Sequence, residues 1–148
     1  MAIQPSRLTN EAAARTGYTH SITIRDEDFT STGNTQTFTV AIAANTLVGK
    51  VFHRLTEDFD SSDATLTSLT YIVGDGGSTN RFLTSTEVCV DGTEVDAKLG
   101  ALSDWYLYTS ADTIDIAFTG TSAKDLSTLN QGELVILIQI LEADEYIK

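Results

Sequence analysis

The chain has 148 residues, of which 41% are hydrophobic and 20% are charged, a composition typical of one folded domain and unlike that of a disordered chain. Its formal net charge is −12 and its Lys and Arg residues form no cluster, so we expect no direct contact with nucleic acid. No apolar run approaches the roughly 20 residues of a membrane helix, and the N-terminus has no apolar block of signal-peptide length, so we expect no membrane partner and no secretion.

Residues 1–18 are predicted to form an N-terminal arm, and residues 19–148 a single domain. The arm contains NEAAARTG (residues 10–17), the stretch with helix-forming composition. Asn10 is a candidate cap for a short helix, and Gly17 is a candidate end. Because the arm precedes the first clear strand and has little core of its own, we expect contact with a neighbouring molecule to order it.

The rest of the sequence is typical of strands. Alternation of apolar and polar residues, together with many threonines and β-branched residues, predicts strands with one buried face. The predicted strands are SITIR (21–25), TFTVAIA (37–43), LTSLTYIV (66–73), WYLYT (105–109), TIDIAFT (113–119) and ELVILIQIL (133–141).

The segment TLVGKVFHRLTEDF (46–59) is ambiguous, because its apolar spacing also fits a helix. Gly49 lies inside it, however, and its β-branched and aromatic residues favour a strand. We therefore interpret 47–55 as a strand followed by a loop.

Turn signals separate the strands. They are Gly33-Asn34, Ala44-Asn45, Asp75-Gly76-Gly77, Asp91-Gly92, Ser110-Ala111-Asp112 and Gln131-Gly132. About eight short strands with almost no helix predict an all-β fold, an antiparallel β-sandwich. A jelly roll fits this pattern best, and an immunoglobulin-like sandwich, whose Cys…Trp…Cys pattern is missing, is the alternative.

The stretch GDGGSTN (74–80) resembles a phosphate-binding loop only at first sight. It has no lysine for a Walker loop, and the third glycine of a dinucleotide fingerprint is replaced by Thr79. Asp75 would also repel a phosphate. We predict a turn whose glycines allow positive φ.

No constellation of residues points to catalysis, a cofactor or a metal. His20 and His53 are the only general bases near neutral pKa, Cys89 lies in an apolar alternation, and GTSAK (120–124) lacks the spacing of known serine motifs. We therefore expect no enzyme activity.

The acidic stretch EDFDSSD (57–63) is predicted to be a solvated loop. An EF-hand that starts at Asp58 would need Gly and Glu where Asp63 and Leu69 stand. A looser calcium site from Asp58, Asp60 and Asp63 is the alternative.

Two groups of residues are candidates for binding. Tyr106 and Tyr108 share one face of a strand and form a candidate glycan platform, although core or rim packing is the commoner use of such rings.

The second group lies in ELVILIQIL. The core face of this strand is formed by Leu134, Ile136, Ile138 and Ile140, so Val135, Leu137 and Leu141 lie on the face that is expected to contact solvent. We predict that these three form a subunit interface in a closed homotrimer, with cover by the chain's own arm as the alternative.

The order of segments resembles a group of small structural proteins of tailed bacteriophages. The stretches that carry the resemblance are TFTVAIAANTLVGKVFHRLTEDFD, TLTSLTYIVGD and YTSADTIDIAFTGTSAKDLSTLNQGELVILIQIL, within residues 20–141. The arm lies outside it.

The resemblance implies a virion component with a jelly-roll-like fold, made in the host cytoplasm. Its implied role is that of a capsid decoration (cement) protein on the head exterior, with the major capsid protein and further copies of itself as partners. An acidic surface suits the capsid exterior, because an interior that faces packaged DNA would repel it. A tail or fibre component, or a carbohydrate-binding module that contacts the host, is the alternative.

Overall fold

A computed structural model of the protein describes residues 1–88 and 105–142. These residues form two antiparallel sheets packed as a sandwich. The strands are β1 (Ser6–Arg7), β2 (His20–Arg25), β3 (Thr35–Ile42), β4 (Thr46–Ser61), β5 (Leu69–Asp75), β6 (Ser78–Glu87), β7 (Tyr106–Tyr108), β8 (Asp112–Gly120) and β9 (Leu129–Glu142), and the helix α1 spans Asn10–Thr16.

The sheet topology is that of a jelly roll. The five-stranded sheet has the order β1-β2-β9-β4-β7, and the four-stranded sheet has the order β3-β8-β5-β6. From β2 to β9 the chain passes to the other sheet at every connection except the β5–β6 hairpin, which gives two interleaved antiparallel sheets. The predicted all-β sandwich is therefore confirmed.

The core lies between the sheets and follows from the alternation in the strands. β3 pairs with β8 so that Phe38 faces Ile116 and Val40 faces Ile114, and all four side chains are fully buried. Burying each contributes about 1.5–3 kcal/mol relative to leaving it exposed.

An aromatic cluster fills one part of this core. The ring of Phe29 packs edge-to-face on Phe38, Phe59 and Phe118, with centroid separations of 5.3, 5.7 and 5.0 Å. Edge-to-face pairs of this kind are worth about 0.5–1.5 kcal/mol beyond their buried area.

The ambiguous segment is a strand, as predicted, but the strand is longer than expected. β4 runs to Ser61, so the residues after Leu55 that were predicted as a loop pair with β9 instead. The reason is that Phe59 is buried in the core, which holds its acidic neighbours in the strand. A register shift between Val48 and Val51 marks a bulge at Gly49.

The predicted turn at Gln131-Gly132 is wrong, because both residues lie inside β9. Gly132 has a φ of +135°, and a Cβ there would lie 2.3 Å from the ring of Phe59. Glycine is needed here so that β9 can pass over that ring, and does not mark a chain reversal.

The N-terminal helix exists, with its cap one residue earlier than predicted. The side chain of Thr9 accepts a hydrogen bond from the backbone N–H of Ala12, and Gly17 ends the helix with a φ of +76°. No helix among the described residues is long and apolar enough to cross a membrane.

Candidate functional site: the outer face of the five-stranded sheet

The alternation predicted for β9 is confirmed. Leu134, Ile136 and Ile138 are fully buried and Ile140 is 8% exposed, so these residues face the core. Val135, Leu137 and Leu141 lie on the opposite, outer face of the sheet and are half-buried.

The neighbouring strands extend this apolar surface. Leu137 pairs with Phe52 of β4, and Leu141 pairs with Leu47. Leu47 in turn pairs with Leu107 of β7. Paired residues of antiparallel strands point to the same face, so these side chains form a band across three strands, interrupted on β9 by Gln139.

Trp105 completes the band at the edge of the sheet. A Cβ on Gly49 would lie 2.8 Å from Cζ3 of the indole, so the ring lies over the glycine of the β4 bulge. We call these residues the outer apolar band: Leu47, Phe52, Trp105, Leu107, Val135, Leu137 and Leu141.

Three side chains of the band are exposed to a degree that is high for large apolar residues. Leu47 is 36% exposed, Trp105 48% and Leu107 49%. Reasoning from the sequence did not assign these three to the site, because only the β4 bulge and the β4–β7 pairing bring them beside β9. A contiguous apolar patch of this kind usually marks an interaction site.

The arm covers one end of the band. The ring centroid of Tyr18 lies 6.2 Å from that of Phe52, and burial raises the pKa of the Tyr18 hydroxyl. Next to it, the side chain of Thr19 accepts a hydrogen bond from the backbone N–H of Ile140, at 2.8 Å. The chain's own arm thus covers the Phe52 end and leaves the Trp105–Leu107 end exposed.

Polar residues bound the band beyond Phe52, toward the N-terminal end of β9. Arg54 pairs with Val135, and the Arg25 guanidinium forms an ion pair of 2.9 Å with Glu133. A hydrogen bond from the Thr56 hydroxyl, and next the contact with Arg25, lower the pKa of Glu133. An apolar centre with a charged rim is the usual anatomy of a protein–protein interface.

The candidate glycan platform has a different geometry from the one expected. Tyr106 and Tyr108 do share a face, with their rings edge-to-face at 4.8 Å, but that face is the inner one. Tyr108 is 3% exposed, and the Arg81 guanidinium lies 3.7 Å from the centroid of the Tyr106 ring. Both rings therefore already have partners within the protein.

These rings belong to a group that we call the Asp75 latch: Asp75, Arg81, Tyr106 and Tyr108. The Asp75 carboxylate is 1% exposed. It accepts hydrogen bonds from Arg81 Nε at 2.5 Å and the Tyr108 hydroxyl at 2.8 Å. The latch joins the β5–β6 hairpin of one sheet to β7 of the other.

The latch also explains why the stretch GDGGSTN (74–80) is a turn and not a phosphate-binding loop. The predicted turn is confirmed, since Asp75 pairs with Ser78 across it, but neither Gly76 nor Gly77 has a positive φ. The backbone N–H groups of Gly77 and Ser78 instead donate to Asp75, at 2.9 and 2.7 Å. A phosphate in this loop would need the same N–H groups, which the Asp75 carboxylate already occupies.

Hydrogen-bond donors keep the Asp75 carboxyl ionised. Burial alone would raise the pKa of this carboxyl, but the hydrogen bonds from Arg81, Tyr108 and the backbone outweigh burial and lower it. Burial and the bond to Asp75 raise the pKa of Tyr108. The group at the sheet junction is thus a carboxylate paired with a guanidinium.

The two histidines lie in different environments. His53 is 4% exposed, and its Nδ1 is hydrogen-bonded to the hydroxyl of Tyr71 in the core. Burial raises the pKa of Tyr71. His20 Nδ1 lies 2.8 Å from the Thr19 hydroxyl.

Cys89 and the predicted turn at Asp91-Gly92 lie outside the described residues.

The acidic stretch is not the loop predicted from sequence. Asp58 and Asp60 lie on β4, whereas Asp63 lies beyond it and accepts a hydrogen bond of 2.6 Å from the Thr65 hydroxyl. That bond is the main cause of the lowered pKa of Asp63. Within residues 1–88 and 105–142, no three His, Cys, Asp or Glu residues are grouped so that they could hold a metal ion.

Comparison of the chain with models of protein families, with curated proteins and with solved structures found no match. The resemblance to bacteriophage structural proteins therefore stays a hypothesis, and the functional argument rests on the geometry of the outer face.

Proposed function

We propose that this protein is a non-enzymatic structural component of a bacteriophage virion, a decoration (cement) protein on the exterior of the capsid. The observation that carries the proposal is the outer apolar band, a partly exposed apolar surface on the side of the sheet that faces away from the buried core. Such a surface serves association with other proteins. The resemblance of residues 20–141 to tailed-phage structural proteins supplies the kind of assembly.

The partner that we propose for the band is a second and a third copy of the chain. Val135, Leu137 and Leu141 lie near the centre of the sheet and are already half-buried, so covering the rest of each side chain would contribute only part of the roughly 1.5–3 kcal/mol that full burial of an exposed side chain gives. A closed ring of three copies covers this face on every copy and ends the assembly there, whereas an open arrangement would continue into a filament.

The contact with the major capsid protein is the second part of the proposal. A trimer has three equivalent surfaces, so weak single contacts with a capsid lattice add up to firm attachment. Attachment that favours the assembled lattice over its free subunits stabilises the shell by mass action. The net charge of −12 suits the outside of the shell, away from packaged DNA.

The test uses particles that lack this protein, compared with particles to which the purified protein is added back. We expect the stripped particles to release DNA at a lower temperature and to break more readily under osmotic shock. Add-back of the wild-type chain should restore resistance, whereas add-back of a Leu137→Lys chain should restore less. Equal release with and without the protein would contradict a cement role.

Copy number in purified particles tests the location. Hundreds of copies per particle are expected for head decoration. A handful of copies would instead place the protein in the tail or a fibre.

A further inference from the structure

The first residues of the chain cover one edge of each sheet. Ala2 forms a parallel bridge with Thr39 on β3, the edge strand of the four-stranded sheet. The backbone N–H of Ile3 donates to the Thr39 carbonyl at 2.8 Å, and the Thr39 N–H donates to the Met1 carbonyl at 2.8 Å. A few residues later, Ser6 pairs with Ser21 on β2 of the other sheet.

This cover is made largely of backbone hydrogen bonds. None of residues 1–9 is fully buried, and Ile3 is the one of them that packs against the core as a partly buried apolar side chain. The arm was expected to be ordered by a neighbouring molecule, but here the edge strands of its own domain hold it.

The helix behind this cover lies outside the core. None of the described side chains of α1 is buried. Gly17, where the helix ends, has a positive φ, and no atom lies within 4 Å of the position of a Cβ there. Side-chain packing therefore contributes little to holding α1, whose two flanks are joined by the hydrogen bond from the Leu8 N–H to the Thr19 carbonyl, at 2.8 Å.

We infer that the arm is exchangeable, and that the edges of β3 and β2 accept residues 1–7 of a second copy of this chain. The segment that these edges accept must form the same backbone hydrogen bonds as residues 1–7 and must carry an apolar side chain at the position of Ile3. A second copy brings the identical segment. Exchange then preserves every hydrogen bond and costs mainly the entropy of association.

Both edges also need cover when the arm leaves. An uncovered edge strand presents unpaired N–H and C=O groups that pair readily with another chain. Reciprocal exchange satisfies both copies at once and becomes favourable when the local concentration is high. The inference concerns the chain itself and does not depend on a role in a virion.

The experiment mixes two full-length variants, each with a single cysteine, in a Cys89→Ala background. One carries Ala2→Cys and the other carries Thr39→Cys. Neighbouring strands are about 4.8 Å apart, within the reach of a disulfide. A disulfide between the two variants can form in this position only if the arm of one chain lies on β3 of the other.

The matched control replaces Thr39→Cys by Ala41→Cys, which is exposed on the same strand but is two residues farther along. After incubation at high concentration and mild oxidation, we expect several-fold more mixed disulfide with Thr39→Cys than with Ala41→Cys. The yield should rise with protein concentration.

A chain carrying both Ala2→Cys and Thr39→Cys, oxidised when dilute, measures the arrangement within one molecule and should close on itself. Mixed disulfide no higher than in the Ala41→Cys control, with normal closure of the double variant, would show that the arm stays on its own chain and would overturn the inference. Failure of the double variant to close would overturn it as well, because the arm would then not lie on β3.

Discussion

The two sheets of the sandwich have very different outer faces. The outer positions of β8, in the interior of the four-stranded sheet, are Thr113, Asp115, Ala117 and Thr119. The outer positions of β9, in the interior of the five-stranded sheet, include Val135, Leu137 and Leu141.

The inner positions of the same two strands are alike. Ile114 and Ile116 of β8 and Ile136 and Ile138 of β9 are all 0% exposed. Packing of the core therefore cannot be the reason for the difference outside. Threonine and aspartate side chains form hydrogen bonds with water or with each other, as in the 2.8 Å bond between Thr113 and Asp115. Large aliphatic side chains form none, and only their removal from water is favourable. The comparison favours the outer face of the five-stranded sheet as the surface for the association that we propose.

The largest expected effect comes from placing a charge on each face in turn. Leu137→Lys should convert the oligomer to a folded monomer, because an unpaired ammonium in the middle of the interface is very unfavourable while the core side of β9 is untouched. Thr119→Lys, on the exposed outer face of β8, should leave the oligomer intact. Sedimentation measures the mass, and circular dichroism checks the fold.

Two outcomes would contradict the proposal that the five-stranded sheet associates and the four-stranded sheet does not. A wild-type protein that is already monomeric would show that the band needs no second copy. A Leu137→Lys chain that fails to fold would show that the band belongs to the domain's own core.

The difference between the faces was partly predictable from the sequence. Alternation identifies β3 and β8 because each of these strands is half-buried and its inner and outer residues differ in polarity. β9 is visible instead as a run that is apolar on both faces, which reveals its apolar outer residues directly. Such a pattern is local, so reasoning from sequence found it.

Other parts of the fold depend on contacts between distant residues. No bounds were predicted for β6, because its buried residues Phe82 and Leu83 are consecutive and register shifts interrupt its pairing with β5. The bond from Tyr108 to Asp75 joins residues 33 positions apart. The position of Trp105 over Gly49 likewise depends on how β4 and β7 pair. None of these contacts leaves a periodic signal.

The second prediction concerns the junction between the two sheets. Asp75→Asn keeps the size of the side chain but removes the charge that faces Arg81, whose side chain is 22% exposed. Leaving buried partners without their acceptor costs about 1–3 kcal/mol, so the free energy of unfolding should fall by that amount. Asp125→Asn, at an exposed carboxylate, should change it little. Urea titrations measure both.

The same variant should alter the dependence of stability on pH. The folded-state pKa of Asp75 is lowered, so its contribution is complete above its unfolded pKa of about 3.9 and is lost as the pH falls through the folded-state value. The wild type should therefore lose stability in acid more steeply than Asp75→Asn. Parallel acid profiles for the two proteins would show that the latch does not contribute in this way.

The smallest expected effect concerns the edge of the outer apolar band, where Trp105 lies over Gly49. Gly49→Ala places a Cβ within 2.8–3.0 Å of three carbons of the indole. Trp105 is 48% exposed, so the ring should move aside and the strand should persist, at a cost below about 1 kcal/mol. Gly33→Ala is the matched control, because its Cβ would meet nothing closer than the Ser31 hydroxyl at 3.8 Å.

Trp105 is the single tryptophan of the chain, so tryptophan fluorescence, excited where tyrosine does not absorb, reports on this ring alone. Gly49→Ala should shift its emission maximum, and Gly33→Ala should not. Because the displaced indole belongs to the band, Gly49→Ala should also weaken the oligomer, though less than Leu137→Lys, which acts at the centre. A shifted emission with an unchanged dissociation constant would place Trp105 outside the contact and confine the associating surface to β9 and its neighbours. An unshifted emission would mean that the indole does not lie over Gly49.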